Sequence, residues 1–132
     1  MKTKHQNIKI VGTVTYGNGL GQRFGFPTAN LTPSGELEGV ADGVWAAIAE
    51  VDGRLWHSVV NIGFSPSVIT AGARRVEAHI VGYSGDLYGK TITLTLRHYL
   101  REERKFPTRE ALIEQIAHDR DRAEELLKEE TN

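Results

Sequence analysis

The residues best suited to chemistry lie close together between Gly17 and Leu31. Gly17, Gly19, Gly21 and Gly25 lead into Phe26-Pro27-Thr28-Ala29-Asn30-Leu31. Spaced glycines let backbone N–H groups approach phosphate oxygens without a Cβ in the way. Thr28 and Asn30, two apart on an extended segment after proline, offer a hydroxyl and an amide oxygen to one side, a donor pair that suits a hard cation. The same residues also fit a glycine-rich surface turn in which Thr28 and Asn30 bond their own backbone. Neither a P-loop nor a dinucleotide fingerprint is present to decide between the two. Other chemistries are excluded or poorly served. The absence of cysteine rules out disulfides, a zinc ribbon and a thiol nucleophile. His5, His57, His79, His98 and His118 show no metal-ligand spacing.

These residues need a scaffold, and the rest of the chain supplies one. With 132 residues and 39% hydrophobic content it is the size of one domain with one core. Sixteen basic against seventeen acidic residues leave a net charge of −1, so no nucleic-acid footprint is expected. The apolar runs are far shorter than the roughly 20 residues that span a bilayer, and the start has no apolar segment of a secretory leader. The expectation is a cytoplasmic monomer, with residues 1–7 as an extension and 8–132 as the domain.

Ile8, Ile10, Gly12, Val14 and Tyr16 alternate with Lys9, Val11, Thr13 and Thr15, a strand period. Gly43–Val51 and Arg54–Ile62 flank Asp52-Gly53, the strongest short hairpin signal available. Val76–Tyr83 and Thr91–Tyr99 flank a turn containing Gly85, Asp86 and Gly89. After Phe106-Pro107, Thr108 can cap a helix over 108–128. Its apolar positions, Leu112, Ile113, Ile116, Ala117, Ala123, Leu126 and Leu127, recur near every 3.6 residues. Short antiparallel strands plus one amphipathic helix predict a small closed barrel with the helix packed against it. Two long segments without a strand pattern, Gly17–Val40 and Gly63–Arg75, remain for function.

Six blocks occur in order: G-L-G-Q-R-F-G-F-P-T-A-N-L, G-V-W-A-A, N-I-G, V-E-A-H-I, D-L-Y-G-K and L-R-E-E-R-K-F. The series resembles the riboflavin kinase (flavokinase) family, free-standing or as the C-terminal half of bifunctional FAD synthetases, over about residues 8 to 128. The resemblance implies a mainly β fold, a six-stranded antiparallel closed barrel with one C-terminal α-helix. It implies transfer of the ATP γ-phosphate to the riboflavin 5′-hydroxyl, giving FMN and ADP, with Mg²⁺. A flavin- or nucleotide-binding regulatory module on the same barrel is the alternative.

Position by position, the resemblance makes Thr28 and Asn30 the Mg²⁺ ligands and Glu77 the general base. Gly17, Gly21, Gly25, Thr28, Ile80, Gly82 and Tyr88 would bind the nucleotide, and Arg101, Arg104 and Phe106 the flavin. Read without it, Glu77 is a strand residue paired with Arg74 or Arg75, Tyr88 is part of a turn, and Phe106 anchors the helix. Asn61, at a strand end, could bond either substrate. His79 borders the same face, and Trp45 and Trp56 suit packing. Gln22 and Phe64-Ser65-Pro66-Ser67 stand where the family commonly has basic residues, with Arg23 one place from the first. No residues are left over for a nucleotidyltransferase domain, so FMN is the expected end product.

Overall fold

The computed structural model describes residues 7–15, 28–34, 37, 39–64 and 74–128. Its strands are β1 (Ile8–Thr15), β2 (Ala29–Pro33), β3 (Gly43–Val51), β4 (Arg54–Phe64), β5 (Arg74–Ile80) and β6 (Thr91–Arg101). One helix, α1 (Arg109–Leu127), follows them. Local signals set the simplest connections. Asp52 and Gly53 take φ values of 51° and 80°, the left-handed pair of a two-residue hairpin turn, and join β3 to β4. Thr108 caps α1 by accepting the Ala111 N–H at 3.0 Å.

All neighbouring strands are antiparallel, and they close in the order β1-β2-β5-β4-β3-β6. Strand alternation points Ile10, Leu31, Val60, Ile62, Val76, Ala78, Ile92, Leu94 and Leu96 into the barrel, where they form one apolar core. β3 is buried on both faces, which explains its nearly unbroken apolar sequence. Trp45, Ala47, Ala49 and Val51 face inward, while Val44, Ala46 and Ile48 face outward under α1. Leu100, Ala123 and Leu127 complete this second cluster, with Val59 packed against it. The helix therefore covers β3, β4 and β6 from outside and leaves β1, β2 and β5 uncovered. No helix among the described residues is long and apolar enough to cross a membrane.

The barrel, its antiparallel pairing and the C-terminal helix agree with the expectation. Two details differ. β2 lies inside the Gly17–Val40 segment, which shows no strand pattern in sequence. It is only five residues long and ends in Pro33, too short for alternation to register. β5 starts two residues before Val76 and ends at Ile80 rather than Tyr83, because Gly82 turns the chain with φ 82°.

Candidate active site

The candidate residues meet along one cross-strand row. Asn30 of β2 is opposite Glu77 of β5, and Glu77 is opposite Asn61 of β4. The row continues through Thr15 on one side, and through Val44 to Arg101 on the other, so it crosses all six strands. Directly opposed residues project to the same face. Here that face is the outer one, since Leu31, Val76, Ala78, Val60 and Ile62 occupy the core. Glu77 is half-buried between two amide side chains.

Among the described residues, three oxygens on this face lack hydrogen-bond partners. Thr28 Oγ1, Asn30 Oδ1 and Asn61 Oδ1 are buried and make no hydrogen bond. A buried acceptor left unpaired costs free energy, about 1–3 kcal/mol in mutational data, so several together call for an explanation. The alternative sequence reading, in which Thr28 and Asn30 bond their own backbone, does not describe these side chains. A cation fits better. Among the described residues no cluster of three His, Cys, Asp or Glu exists to hold a metal. Neutral hydroxyl and amide oxygens suit Mg²⁺, which keeps its waters and shares its charge with phosphate oxygens.

Among the described residues, Glu77 has one charged partner. Arg75 Nε lies 3.3 Å from Glu77 Oε1, and Arg75 Nη2 donates to Glu103 Oε2 at 3.1 Å. Arg74 faces elsewhere: it donates to Asp42 and to the carbonyls of Leu37 and Val40, fastening the segment before β3. Of the two arginines adjacent in sequence, Arg75 is thus the partner.

β5 runs through the site, and its two ends meet different candidate regions. Beyond the Ile80 end comes the turn with Gly82 and Tyr88. Tyr83 packs edge-on against Trp56 at 5.2 Å, and the Arg54 guanidinium lies 5.3 Å from the same indole. Tyr88 is exposed, its N–H donating to Asp86 Oδ1 at 3.0 Å. Ile80 packs inside the barrel, so its side chain belongs to the core rather than to a surface cleft. Its carbonyl accepts the Tyr83 N–H at 3.3 Å. Lys90, later in this turn, has its pKa raised, first by its hydrogen bond to Asp52 and then by that carboxylate's charge.

Near the Arg74 end, residues 102–106 return along the barrel into α1. Phe106 carries both guanidiniums, Arg101 at 5.6 Å and Arg104 at 5.4 Å from the ring centroid. Arg104 and Phe106 line an open cleft of about 710 Å³ together with Ala111, Gln115 and His118 of α1. Arg101 does not line it. Its Nε and Nη2 donate to both oxygens of Asp119, the shortest contact being 2.7 Å, and Nη1 donates to the Glu102 carbonyl. Gln115 joins this network by donating to Asp119 at 2.9 Å and accepting from Arg104 at 2.6 Å. Arg101 therefore backs Phe106 and ties the end of β6 to the helix. The helix-anchoring role expected of Phe106 falls to Arg101, and Phe106 lines the cleft.

Gly17, Gly21, Gly25, Gln22 and Arg23, and Ser65-Pro66-Ser67, lie outside the described residues. Asn61, only loosely suspected from sequence, emerges as the direct cross-strand neighbour of Glu77. Gly63, Glu103 and Asp119 have no local signal, because each matters through a partner distant in the chain, whereas Arg75 is one of the two arginines that the sequence offers Glu77 as a partner.

Comparison with known proteins places this barrel in a family. The family model described as riboflavin kinase (flavokinase) matches residues 4–127. The bifunctional riboflavin kinase/FMN adenylyltransferase of Pseudomonas fluorescens is 35% identical over 105 residues, 80% of this chain and 33% of that protein. The RNA-binding riboflavin kinase RibR of Bacillus subtilis is 36% identical over 110 residues, 83% of this chain and 47% of that protein. The chain thus spans a third to a half of the length of these relatives. Two solved structures share the architecture. A macrolide-efflux protein from Streptococcus pneumoniae superposes with a TM-score of 0.79 at 26% identity, over 87% of this chain and 38% of that one. Riboflavin kinase from Trypanosoma brucei gives 0.69 at 22% identity, over 95% and 82%, a likeness of fold. The class is a six-stranded closed barrel with an external helix and a polar Asn30–Glu77–Asn61 row on its outer face. The chain belongs to the riboflavin kinase family.

Proposed function

We propose that this protein is a riboflavin kinase that transfers the γ-phosphate of ATP to the 5′-hydroxyl of riboflavin, yielding FMN and ADP. The observation that carries the reading is the Asn30–Glu77–Asn61 row, in a chain of this family, with buried unpartnered oxygens beside the carboxylate. Thr28 Oγ1 and Asn30 Oδ1 would hold Mg²⁺. When bound, that ion supplies positive charge to the phosphate oxygens.

The side chains then have distinct tasks. Glu77, midway along β5, accepts the proton of the ribityl hydroxyl as that oxygen bonds to phosphorus and the bond to the ADP oxygen breaks. A glutamate is a weak base for an alcohol, but phosphoryl transfer proceeds through a loose transition state, and positioning supplies most of the acceleration. Asn61, on the other flank of Glu77, is placed to bond a substrate hydroxyl. Arg104 and Phe106 present a cation and an aromatic ring to the flat isoalloxazine in the cleft against α1. The nucleotide belongs at the opposite end of β5, near the turn bearing Gly82 and Tyr88. Glu77 lies between the two ends, where a donor phosphate and an acceptor hydroxyl have to meet. We assign the work to a cytoplasmic monomer.

Incubation with riboflavin, ATP and Mg²⁺, followed by chromatography, tests the reading. FMN appearing only when all three are present is the expected result. Binding of riboflavin and ADP without FMN would instead leave a flavin- and nucleotide-binding module on the same barrel.

A further inference from the structure

We propose that Arg75 is a positioning residue for the transfer, linking the carboxylate of Glu77 through Glu103 to the 102–106 segment that builds the flavin cleft. The proposal rests on the kinase reading. Arg75 and Glu77 are two apart on β5 and therefore share the outer face. The guanidinium divides itself between two acids, with Nη2 on Glu103 Oε2 at 3.1 Å and Nε 3.3 Å from Glu77 Oε1. Nε is buried and makes no hydrogen bond, so its hold on Glu77 is a loose ion pair rather than an aligned one. A small shift of the guanidinium then changes where the Glu77 carboxylate rests. Because Arg75 meets Oε1 alone, the second oxygen remains for the substrate hydroxyl.

Glu103 sets the place of the guanidinium, and Gly63 sets the place of Glu103. Gly63 is paired with Arg75 across β4 and β5. Its φ is not among the left-handed values, so the backbone does not demand glycine there. The demand comes from above: a Cβ at Gly63 would stand 2.1 Å from Glu103 Oε1 and 2.8 Å from its Cδ. Glu103 thus seats its carboxylate on bare backbone and reaches Arg75. Three residues later in the same segment is Phe106, and between them Arg104, both lining the cleft. The ion pairs are too exposed to add much stability, with side-chain exposures of 31%, 25% and 35% for Arg75, Glu77 and Glu103. Their consequence is geometric. Filling the cleft fixes the segment, the segment fixes Glu103, and Arg75 passes the placement on to the base.

The test is steady-state FMN formation, with kcat and the separate KM values for riboflavin and ATP, alongside thermal midpoints. It uses the parent protein, Arg75→Ala, Arg75→Lys, Glu103→Ala, Gly63→Ala and the Glu103→Ala/Gly63→Ala pair. Arg75→Ala should lower kcat by roughly tenfold or more, as misplacement of a reacting group does, without raising the KM for ATP. Arg75→Lys should recover part of that loss, since the charge remains while the fork is lost. Glu103→Ala should raise the riboflavin KM and lower kcat less. Gly63→Ala should reproduce it, because the added methyl evicts only the far end of a flexible side chain. The pair should then be no worse than either single change, the sign of one shared interaction. Parental kcat in Arg75→Ala would overturn the proposal, as would independent, additive losses from Gly63→Ala and Glu103→Ala. Should Arg75→Ala fail to fold, Arg75→Lys and the Glu103/Gly63 cycle decide the matter alone. A parent protein that makes no FMN would overturn the kinase reading first, and this proposal with it.

Discussion

Beneath α1, the outward positions of β3, β4 and β6 carry Val44, Ala46, Ile48, Val59 and Leu100, and the buried charge there is fully met. Asp119, 4% exposed, receives Arg101 on both oxygens and Gln115 on one. Where β2 and β5 meet the Asn61 end of β4, the outward positions are Asn30, Glu77 and Asn61, and among the described residues three buried oxygens there have no hydrogen-bond partner. The same barrel wall thus treats polar atoms in two ways. Around Asp119 they are satisfied within the chain, as stability requires. At Thr28, Asn30 and Asn61 they are held in place and left unsatisfied, which costs stability and is retained where a ligand completes the bonds.

The comparison can be broken by substitutions that should affect activity on one side and folding on the other. The largest effect is expected from Glu77→Gln. The amide keeps size and hydrogen bonding but cannot take the proton, so turnover should fall by roughly 10² to 10⁴, while flavin and nucleotide binding and the thermal midpoint stay near parental. Near-normal FMN production would remove Glu77 from the mechanism. Next comes Asp119→Ala in the covered half. It strands the part-buried Arg101 guanidinium, and stability measured by urea unfolding should drop by about 3 kcal/mol. An unchanged unfolding midpoint would show that the network beneath the helix is dispensable.

Thr28→Ala and Asn30→Ala sharpen the contrast. Mg²⁺-dependent ADP binding, followed by calorimetry, should weaken at least about tenfold, a loss that even outer partners of metal ligands commonly cause. Stability should meanwhile stay within about 0.5 kcal/mol, because the removed oxygens satisfy nothing in the fold. ADP affinity that does not respond to Mg²⁺ in the parent protein would sink the assignment. Thr108→Ala should have the smallest effect, about 1 kcal/mol of stability from the lost helix cap, with the KM for ATP unaltered. A change in nucleotide affinity would mean that α1 reaches the nucleotide end of β5.

What was legible in the sequence follows the range of each interaction. Asp52-Gly53 and the Thr108 cap depend on neighbours one to three residues away, and both stand as read. The alternating runs of β1 and β6 carry enough period to announce themselves, and β3 and β4 are marked by the turn between them. Five-residue β2 does not, and its strand character comes from pairing with β1 and β5. The site divides the same way. Thr28 and Asn30 stand out as local oxygen donors, but their alignment with Glu77 and Asn61 needs the barrel register, which joins residues 30, 77 and 61. The bond from Arg101 to Asp119, eighteen residues onward, likewise has no visible sign in the sequence until α1 folds back.

The most direct test of the account is the Mg²⁺ dependence of FMN formation in the parent protein and in Asn30→Ala, at fixed riboflavin and ATP. The unpartnered Asn30 oxygen is held to be a metal ligand next to the base, so the parent should show saturable activation by Mg²⁺. Asn30→Ala should need much more of the ion or lose activity outright, while unfolding at the parental temperature. Identical Mg²⁺ activation curves for the two proteins would contradict the account.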